Sequence, residues 1–234
     1  MKIAVLSDIH ANIDALEAVF SSSAFAQADC VLIAGDLIGY YFDPRECLDL
    51  LLSCKKPLYI IRGNHEEMLL AGSRSANALA KITEKYGPGI KIALEQFSTR
   101  QVNWVANLPH PLFINELECQ ILLCHGSPSN INNYVYPNSP IEVIVNSLDI
   151  LPQVLVMGHT HYPMVRYQKS CLIVNPGSVG QPRNRSPGAH WALIDTGSMC
   201  VKFQVEEYDS TILQAKCVQF APSLPYLSHV LTRA

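Results

Sequence analysis

The chain has 234 residues, of which 49% are hydrophobic and only 16% charged, with a net charge of −3 at pH 7. That balance excludes a disordered chain, and a chain of this length buries roughly 70–75% of its unfolded surface, enough for a core without disulfide staples. No Lys or Arg run is present to track a nucleic-acid backbone, and no apolar stretch reaches the ~18–20 residues of a membrane span.

In chain order, Ile3–Leu6 reads as a short buried strand stopping at Ser7-Asp8. Asn12–Ser22 places Ile13, Leu16, Val19 and Phe20 at helical spacing, with Asn12 as the N-cap. Val31–Ala34 is a second strand run, closed by Gly35-Asp36. Asp43-Pro44-Arg45-Glu46 has the form of a capping box with proline at the first helical position, opening a helix to about Leu52. Leu58–Ile61 ends at Arg62-Gly63-Asn64, and the stretch from Glu66 to about Ala106 reads as mostly helical, interrupted at Gly72 and at Gly87-Pro88-Gly89. The second half is richer in strands. Ile121–Cys124 ends at His125-Gly126, Val154–Met157 at Gly158-His159, and Leu172–Val174 at Asn175-Pro176-Gly177. Ser139-Pro140-Ile141-Glu142 repeats the capping signature ahead of Val143–Leu148, and Trp191–Ile194 and Val201–Val205 flank a turn at Thr196-Gly197-Ser198. The expectation is one α/β domain over residues 1–234, with residues 221–234 as an extended C-terminal arm.

The N-terminus runs straight into the strand pattern, without the apolar region of a signal peptide. The eight cysteines are scattered and form no C-x-x-C pair. Reduced core thiols in a cytoplasmic protein are expected. The sparse charge is compatible with a homo-oligomer.

Polar residues fall at the ends of the strand runs, where open α/β sheets build their sites. Those ends supply Asp8, His10, Asp36, Asn64, His125, His159 and His161, two carboxylates, one amide and four imidazoles. Cys124, adjacent to His125, is expected to face the core. Asp8 and His10 lie two residues apart, as do His159 and His161, so on extended backbone both members of each pair project to one side. The two aspartates supply −2 and two divalent cations would supply +4. The surplus would attract a phosphate and acidify a bound water.

Asp8-x-His10, Gly35-Asp36, Gly63-Asn64-His65-Glu66, His125-Gly126 and Gly158-His159-Thr160-His161 resemble, in order, the five motifs of the calcineurin-like metallophosphoesterases. Asn175 to Arg183 (Asn-Pro-Gly-Ser-Val-Gly-Gln-Pro-Arg) resembles the small bacterial and archaeal branch of phosphodiesterases and diadenosine tetraphosphate hydrolase-like proteins, as does Gly39–Pro44. The resemblance implies a four-layer αββα sandwich of two facing mixed sheets flanked by helices. It implies two divalent metal ions, Mn or Fe in first place and Zn, Co or Ni as alternatives. Asp8, His10 and His161 would hold one ion and Asn64, His125 and His159 the other, with Asp36 shared. A hydroxide bridging the metals would attack phosphorus in line, and His65, not a ligand, would protonate the leaving oxygen. The substrate class is a small phosphorylated molecule, nucleotides included: a phosphodiester, a phosphomonoester or a dinucleoside polyphosphate. Arg62, Arg183, Asn175 and Tyr40 are candidate substrate contacts. Glu66 reads as an acidic residue complementing a helix dipole.

Two departures bear on the reading. Ala11 stands where the first motif carries glycine, and Glu66 ends the third motif in place of aspartate. In the protein phosphatases of the superfamily an acidic residue three positions after the shared aspartate orients the catalytic histidine. Here that position is Gly39, which counts against a serine/threonine phosphatase. The rival from another class is a non-catalytic interaction module, since a retromer subunit shares the fold with an incomplete metal set. A nuclease is opposed by the absence of basic runs.

Overall fold

A computed structural model describes residues 1–233. The chain opens with β1 (Lys2–Leu6), α1 (Ile13–Ser21), α2 (Ser23–Ala26), β2 (Cys30–Ile33), α3 (Pro44–Ser53) and β3 (Leu58–Ile60). Four helices follow: α4 (Asn64–Arg74), α5 (Ala76–Tyr86), α6 (Gly89–Gln96) and α7 (Thr99–Ala106). Then come β4 (Leu112–Ile114), β5 (Ile121–Leu123), α8 (Glu142–Val145), β6 (Val154–Val156), β7 (Met164–Gln168) and β8 (Cys171–Asn175). The chain closes with β9 (Ala189–Asp195), β10 (Cys200–Glu206), α9 (Thr211–Phe220) and α10 (Tyr226–His229). The strands form two five-stranded mixed sheets, in the orders β10-β9-β1-β2-β3 and β4-β5-β6-β8-β7.

Strand alternation builds the layers. In β1, Ile3 and Val5 face a core between the sheets, where they meet Leu32, Ile121, Leu123, Val154, Val156, Leu172, Val174 and Ile194. Ala4 and Leu6 face the opposite way and pack under Leu16, Leu48, Leu51 and Leu69 of the helices. The outer face of the second sheet buries Leu122, Leu155 and Ile173 beneath Val135 and Ile144. That cover is mostly irregular, with only Glu142–Val145 helical, shorter than the Val143–Leu148 pattern indicates. Strands β1, β2 and β3 run parallel, as do β5, β6 and β8. All six therefore present carboxyl ends at one rim, the geometry that gathers loops into a site.

Several local expectations are corrected. Gly72 does not interrupt α4. A Cβ there would stand 3.2 Å from Leu79, so the glycine lets α4 pack closely on its neighbours. Asp43 forms no side-chain cap for α3. Its carboxylate instead accepts from Lys216 Nζ at 2.6 and 2.9 Å, tying the helix start to α9. The tail is not an extended arm over its described length. Tyr226–His229 is helical, and Leu227, Val230 and Leu231 are buried with Tyr41, Phe42 and Leu213. Tyr41 fastens it by donating from its hydroxyl to Leu227 O at 3.0 Å. Among the described residues, no helix is long and apolar enough to cross a membrane.

Candidate metal centre

The loops after five parallel strands carry the candidate ligands: Asp8 and His10 follow β1, Asp36 follows β2, Asn64 follows β3, His125 follows β5, and His159 and His161 follow β6. The extended backbone expected for the two-apart pairs is not what aims them. Asp8 (φ 54°), His10 (52°), Asp36 (54°), His159 (70°) and His161 (62°) all adopt left-handed conformations. Each such residue costs about 1–3 kcal/mol and persists only where its surroundings over-determine it. Here they do. Asp8 N and His10 N donate to Gly35 O and Asp36 O, Ser178 Oγ donates to Asp8 O, and Val179 N and Gly180 N donate to Ser7 O and Asp8 O. The Asn175–Arg183 segment thus braces the first motif from beneath.

The side chains converge with their free electron pairs inward. A carbonyl oxygen only accepts, so a ring nitrogen bonded to one must carry the proton. His10 Nδ1 donates to Ile38 O at 3.1 Å, His125 Nδ1 to Ala34 O at 2.7 Å, and His161 Nδ1 to Gln181 O. This is the outer-shell arrangement that orients metal-ligating imidazoles. The Nε2 atoms of His10 and His161 then face inward as lone pairs, and His125 Nε2 faces the same way. His10 Nε2 and His161 Nε2 stand 3.1 Å apart, as do His125 Nε2 and His159 Nδ1, and Asn64 Oδ1 is 3.0 Å from His125 Nε2. Separations near 3 Å would suit side chains sharing one ion once His125 gives up its proton.

The aspartates divide their oxygens likewise. Asp8 Oδ2 accepts from Ser7 Oγ at 2.6 Å and His159 N at 3.0 Å, leaving Oδ1 3.3 Å from His161 Nε2 and without a hydrogen-bond partner. Asp36 Oδ1 accepts from His65 N at 2.9 Å. Its Oδ2 lies 3.3 Å from His125 Nε2 and 3.8 Å from His10 Nε2, between the two groups. Three triads place a ligand atom each within 4.8 Å of one another: Asp8, His10 and His161; Asp36, His125 and His159; and His10, Asp36 and His65. All are buried, and His159 Nε2 and His65 Nδ1 are also unpartnered. Buried carboxylates and the orphaned acceptor Asp8 Oδ1 call for cations, and the mixed nitrogen and oxygen donors fit divalent transition metals.

The electrostatics agree. Burial holds His10 and His161 below the ordinary imidazole value and His159 down to about 4. These rings are therefore neutral and ready to ligate. Burial also opposes charge on His125, but the Asp36 carboxylate overrides it and lifts the group to about 9. Burial opposes ionisation of Asp8, yet the imidazoles around it, with charge on His125, hold it well below the usual carboxylate range.

His65 opens α4 beside the cluster, its Nε2 3.9 Å from Asp36 Oδ2. Its ring packs 4.7 Å from Tyr40, 4.8 Å from His10 and 5.5 Å from Tyr86. A Cβ on Gly39 (φ 90°) would collide with His65 Nδ1, so the neighbouring loop leaves no room for a side chain that could orient it.

Of the candidate substrate contacts, Tyr40 and Arg183 lie together near the cluster. Tyr40 (φ 56°) meets His10 edge-on at 4.6 Å, and Arg183 donates to its hydroxyl at 3.0 Å. Asn175 is fully buried, donating to Gly158 O at 2.7 Å and Thr160 Oγ1 at 3.1 Å. It braces the turn holding His159 and His161. Arg62 is tied to Leu108 O at 3.2 Å and faces Glu67 at 3.6 Å. Cys124 packs into the outer core of the second sheet, as expected.

Two participants were missed by sequence reasoning. Glu66 is more than a dipole partner. Its buried carboxylate accepts from Gly63 N at 2.6 Å, Asp36 N and Leu37 N at 2.9 Å, and Ile38 N at 3.3 Å. It staples the loop carrying Asp36 to the loop carrying Asn64. Burial raises it to about 7, against the pull of the backbone donors. Its position three residues after Gly63 was the available signal. Tyr134, half exposed at 54%, stacks 4.2 Å from His159, with Tyr136 alongside it. No sequence spacing indicated that pair.

Residues 1–199 match the family model of the calcineurin-like phosphoesterase superfamily domain. An uncharacterized protein of Methanocaldococcus jannaschii is 27% identical over 227 residues, covering 88% of each chain. A metallophosphoesterase from Sphaerobacter thermophilus superposes with a TM-score of 0.79 at 26% identity, covering 98% of this chain and 99% of that one. A hypothetical protein from Pyrococcus horikoshii gives 0.85 at 23% identity, covering 100% and 99%, and shares the fold.

Proposed function

Since the chain belongs to the calcineurin-like phosphoesterase superfamily, we propose that it hydrolyses a phosphate ester or anhydride of a small molecule with two divalent cations. Asp8, His10 and His161 would hold one, Asn64, His125 and His159 the other, with Asp36 shared. Manganese or iron is the assigned pair, and zinc, cobalt or nickel suit the same donors. When bound, such ions neutralise charge on phosphoryl oxygens and acidify a water for in-line displacement.

The chain's own residues then have defined tasks. Glu66 and Asn175 hold the ligand loops in register. His65, whose backbone N–H is anchored on Asp36 Oδ1 and whose ring is wedged between Tyr40 and His10, donates the proton to the leaving oxygen. Such a step contributes typically ~10²–10⁴-fold. The observation that carries the reading is the inward convergence of buried candidate ligand atoms from the ends of five separate strands. A non-catalytic module on this fold has no use for the full set, and Gly39 argues against a protein phosphatase.

The test is hydrolysis of bis(p-nitrophenyl) phosphate by protein loaded with Mn²⁺, with elemental analysis. Turnover abolished by chelation and restored by metal, at two ions per chain, is expected. One ion or none at saturating supply overturns the two-metal reading, and two ions without turnover would favour the interaction module.

A further inference from the structure

A cavity of about 530 Å³ opens beside the metal cluster, where the C-terminal segment folds back over the Asn175–Arg183 loop. Its wall carries Arg183, His229 and Arg233, together with Gln181 and Tyr226, and among the described residues no carboxylate lines it. Three basic side chains crowd one cavity in a chain whose net charge is −3. Neither arginine forms an ion pair among the described residues; those that do, Arg45 and Arg62, lie elsewhere. Arg183 spends its guanidinium on neutral acceptors, Tyr40 Oη at 3.0 Å and Gln181 Oε1 at 3.1 Å, and Arg233 donates to Arg183 O at 3.0 Å. A half-buried Arg183 and an exposed Arg233, neither in an ion pair among the described residues, favour an incoming anion, and their fork geometry suits phosphate oxygens.

The cavity also has an address. Tyr40, which takes the Arg183 hydrogen bond, packs against His10 and His65, and its ring is 6.4 Å from that of Tyr226 in the cavity wall. One tyrosine therefore separates the basic cavity from the metal ligands. We propose that this cavity is a second anion subsite, in which Arg183, Arg233 and His229 receive a further phosphate of the same substrate. The substrate class is thereby narrowed to molecules with a second ionised phosphate, joined as in a phosphoanhydride. This rests on the phosphoesterase reading above, which assigns the first phosphate to the metals. The C-terminal segment, in this account, is part of the substrate site.

The experiment uses the full-length, manganese-loaded protein turning over bis(p-nitrophenyl) phosphate, inhibited either by pyrophosphate or by inorganic phosphate. In the His229→Ala/Arg233→Ala double variant the inhibition constant for pyrophosphate should rise at least about tenfold, the scale of lost charge-assisted hydrogen bonds. That for inorganic phosphate should move less than twofold, and Arg233→Lys should recover part of the loss. Chelation of manganese by pyrophosphate acts equally on every variant and cancels in the comparison. A purely structural role for Arg233 would shift both anions together; equal shifts, or none, overturn the subsite. Failure of the wild type to hydrolyse the reporter would defeat the parent reading instead. Calorimetric titration of the same two anions into the same proteins would then decide the subsite by the same difference.

Discussion

The core between the sheets and the rim above it are built from the same six parallel strands and obey opposite rules. In the core, Ile3, Val5, Leu123, Val156 and Val174 alternate regularly and are fully buried. At the rim, a few residues further along, the backbone turns left-handed at five candidate ligands and the carboxylates of Asp8, Asp36 and Glu66 are buried. The core lowers the free energy through apolar burial, about 25 cal/mol per Å². The rim raises it locally and depends on the sheets and the staple of Glu66 to stay in place. A local rule kept inside the strands and broken at the ends of β1, β2 and β6 is what a site built for chemistry leads one to expect.

The comparison breaks most visibly if the rim can lose a charge without consequence. Asp36→Asn should lose metal and fall to background turnover, read by elemental analysis and by hydrolysis of the diester. Retention of two ions would show that Asp36 is not shared. His65→Gln should keep both ions and lose ~10²–10⁴-fold against an alkyl phosphate ester, with a smaller loss against a p-nitrophenyl ester. An unchanged rate with the alkyl ester would remove His65 from proton transfer. Glu66→Gln should weaken metal affinity ~10–100-fold, the usual effect of altering a group that orients ligands. A metal titration followed by calorimetry checks it.

Acidity sharpens the contrast further. In the metal-free protein, His125 is lifted to about 9 by Asp36, above its unfolded value near 6.5. A raised value means the stabilisation is complete below about 6.5 and is lost as pH rises through about 9. Metal-free protein should therefore lose melting temperature over that window. Metal-loaded protein, in which the ion replaces that proton, should not, and loading should release protons. The smallest effect belongs to the core. Ile194, paired with Ile3 at the end of β1 away from Asp8, should cost only about 0.5–1.5 kcal/mol on Ile194→Val, with metal content unchanged. A core variant that shed metal would erase the distinction between the regions.

The legible parts share one property, that their cause lies within a few consecutive residues. Short runs such as Val154–Met157 announced buried strands, Asn12 capped α1 as its position indicated, with Ala15 N donating to its side chain at 3.1 Å, and the strand-end polar residues converge as a set. What failed depended on a distant partner. Asp43 looked like a cap until Lys216 arrived from α9. Gly72 looked like a break until Leu79 came within contact. The strands β4 and β7 are too short or too exposed on one side to stand out, and the tail was read as extended because two prolines say nothing of the apolar surface waiting at Tyr41 and Phe42.

The sequence by itself determined that strands alternate with helices, that polar ligand types stand at strand ends, and which family's motifs they resemble, because hydrophobic periodicity and motif order are local properties of the chain. Only the tertiary structure decided that the paired ligands are aimed by left-handed turns, that Glu66 joins two ligand loops, and that Arg183, His229 and Arg233 share a cavity one tyrosine from the cluster. Those facts depend on hydrogen bonds and charges brought together from loops far apart in sequence, and such contacts have no signature until the two sheets have closed on each other.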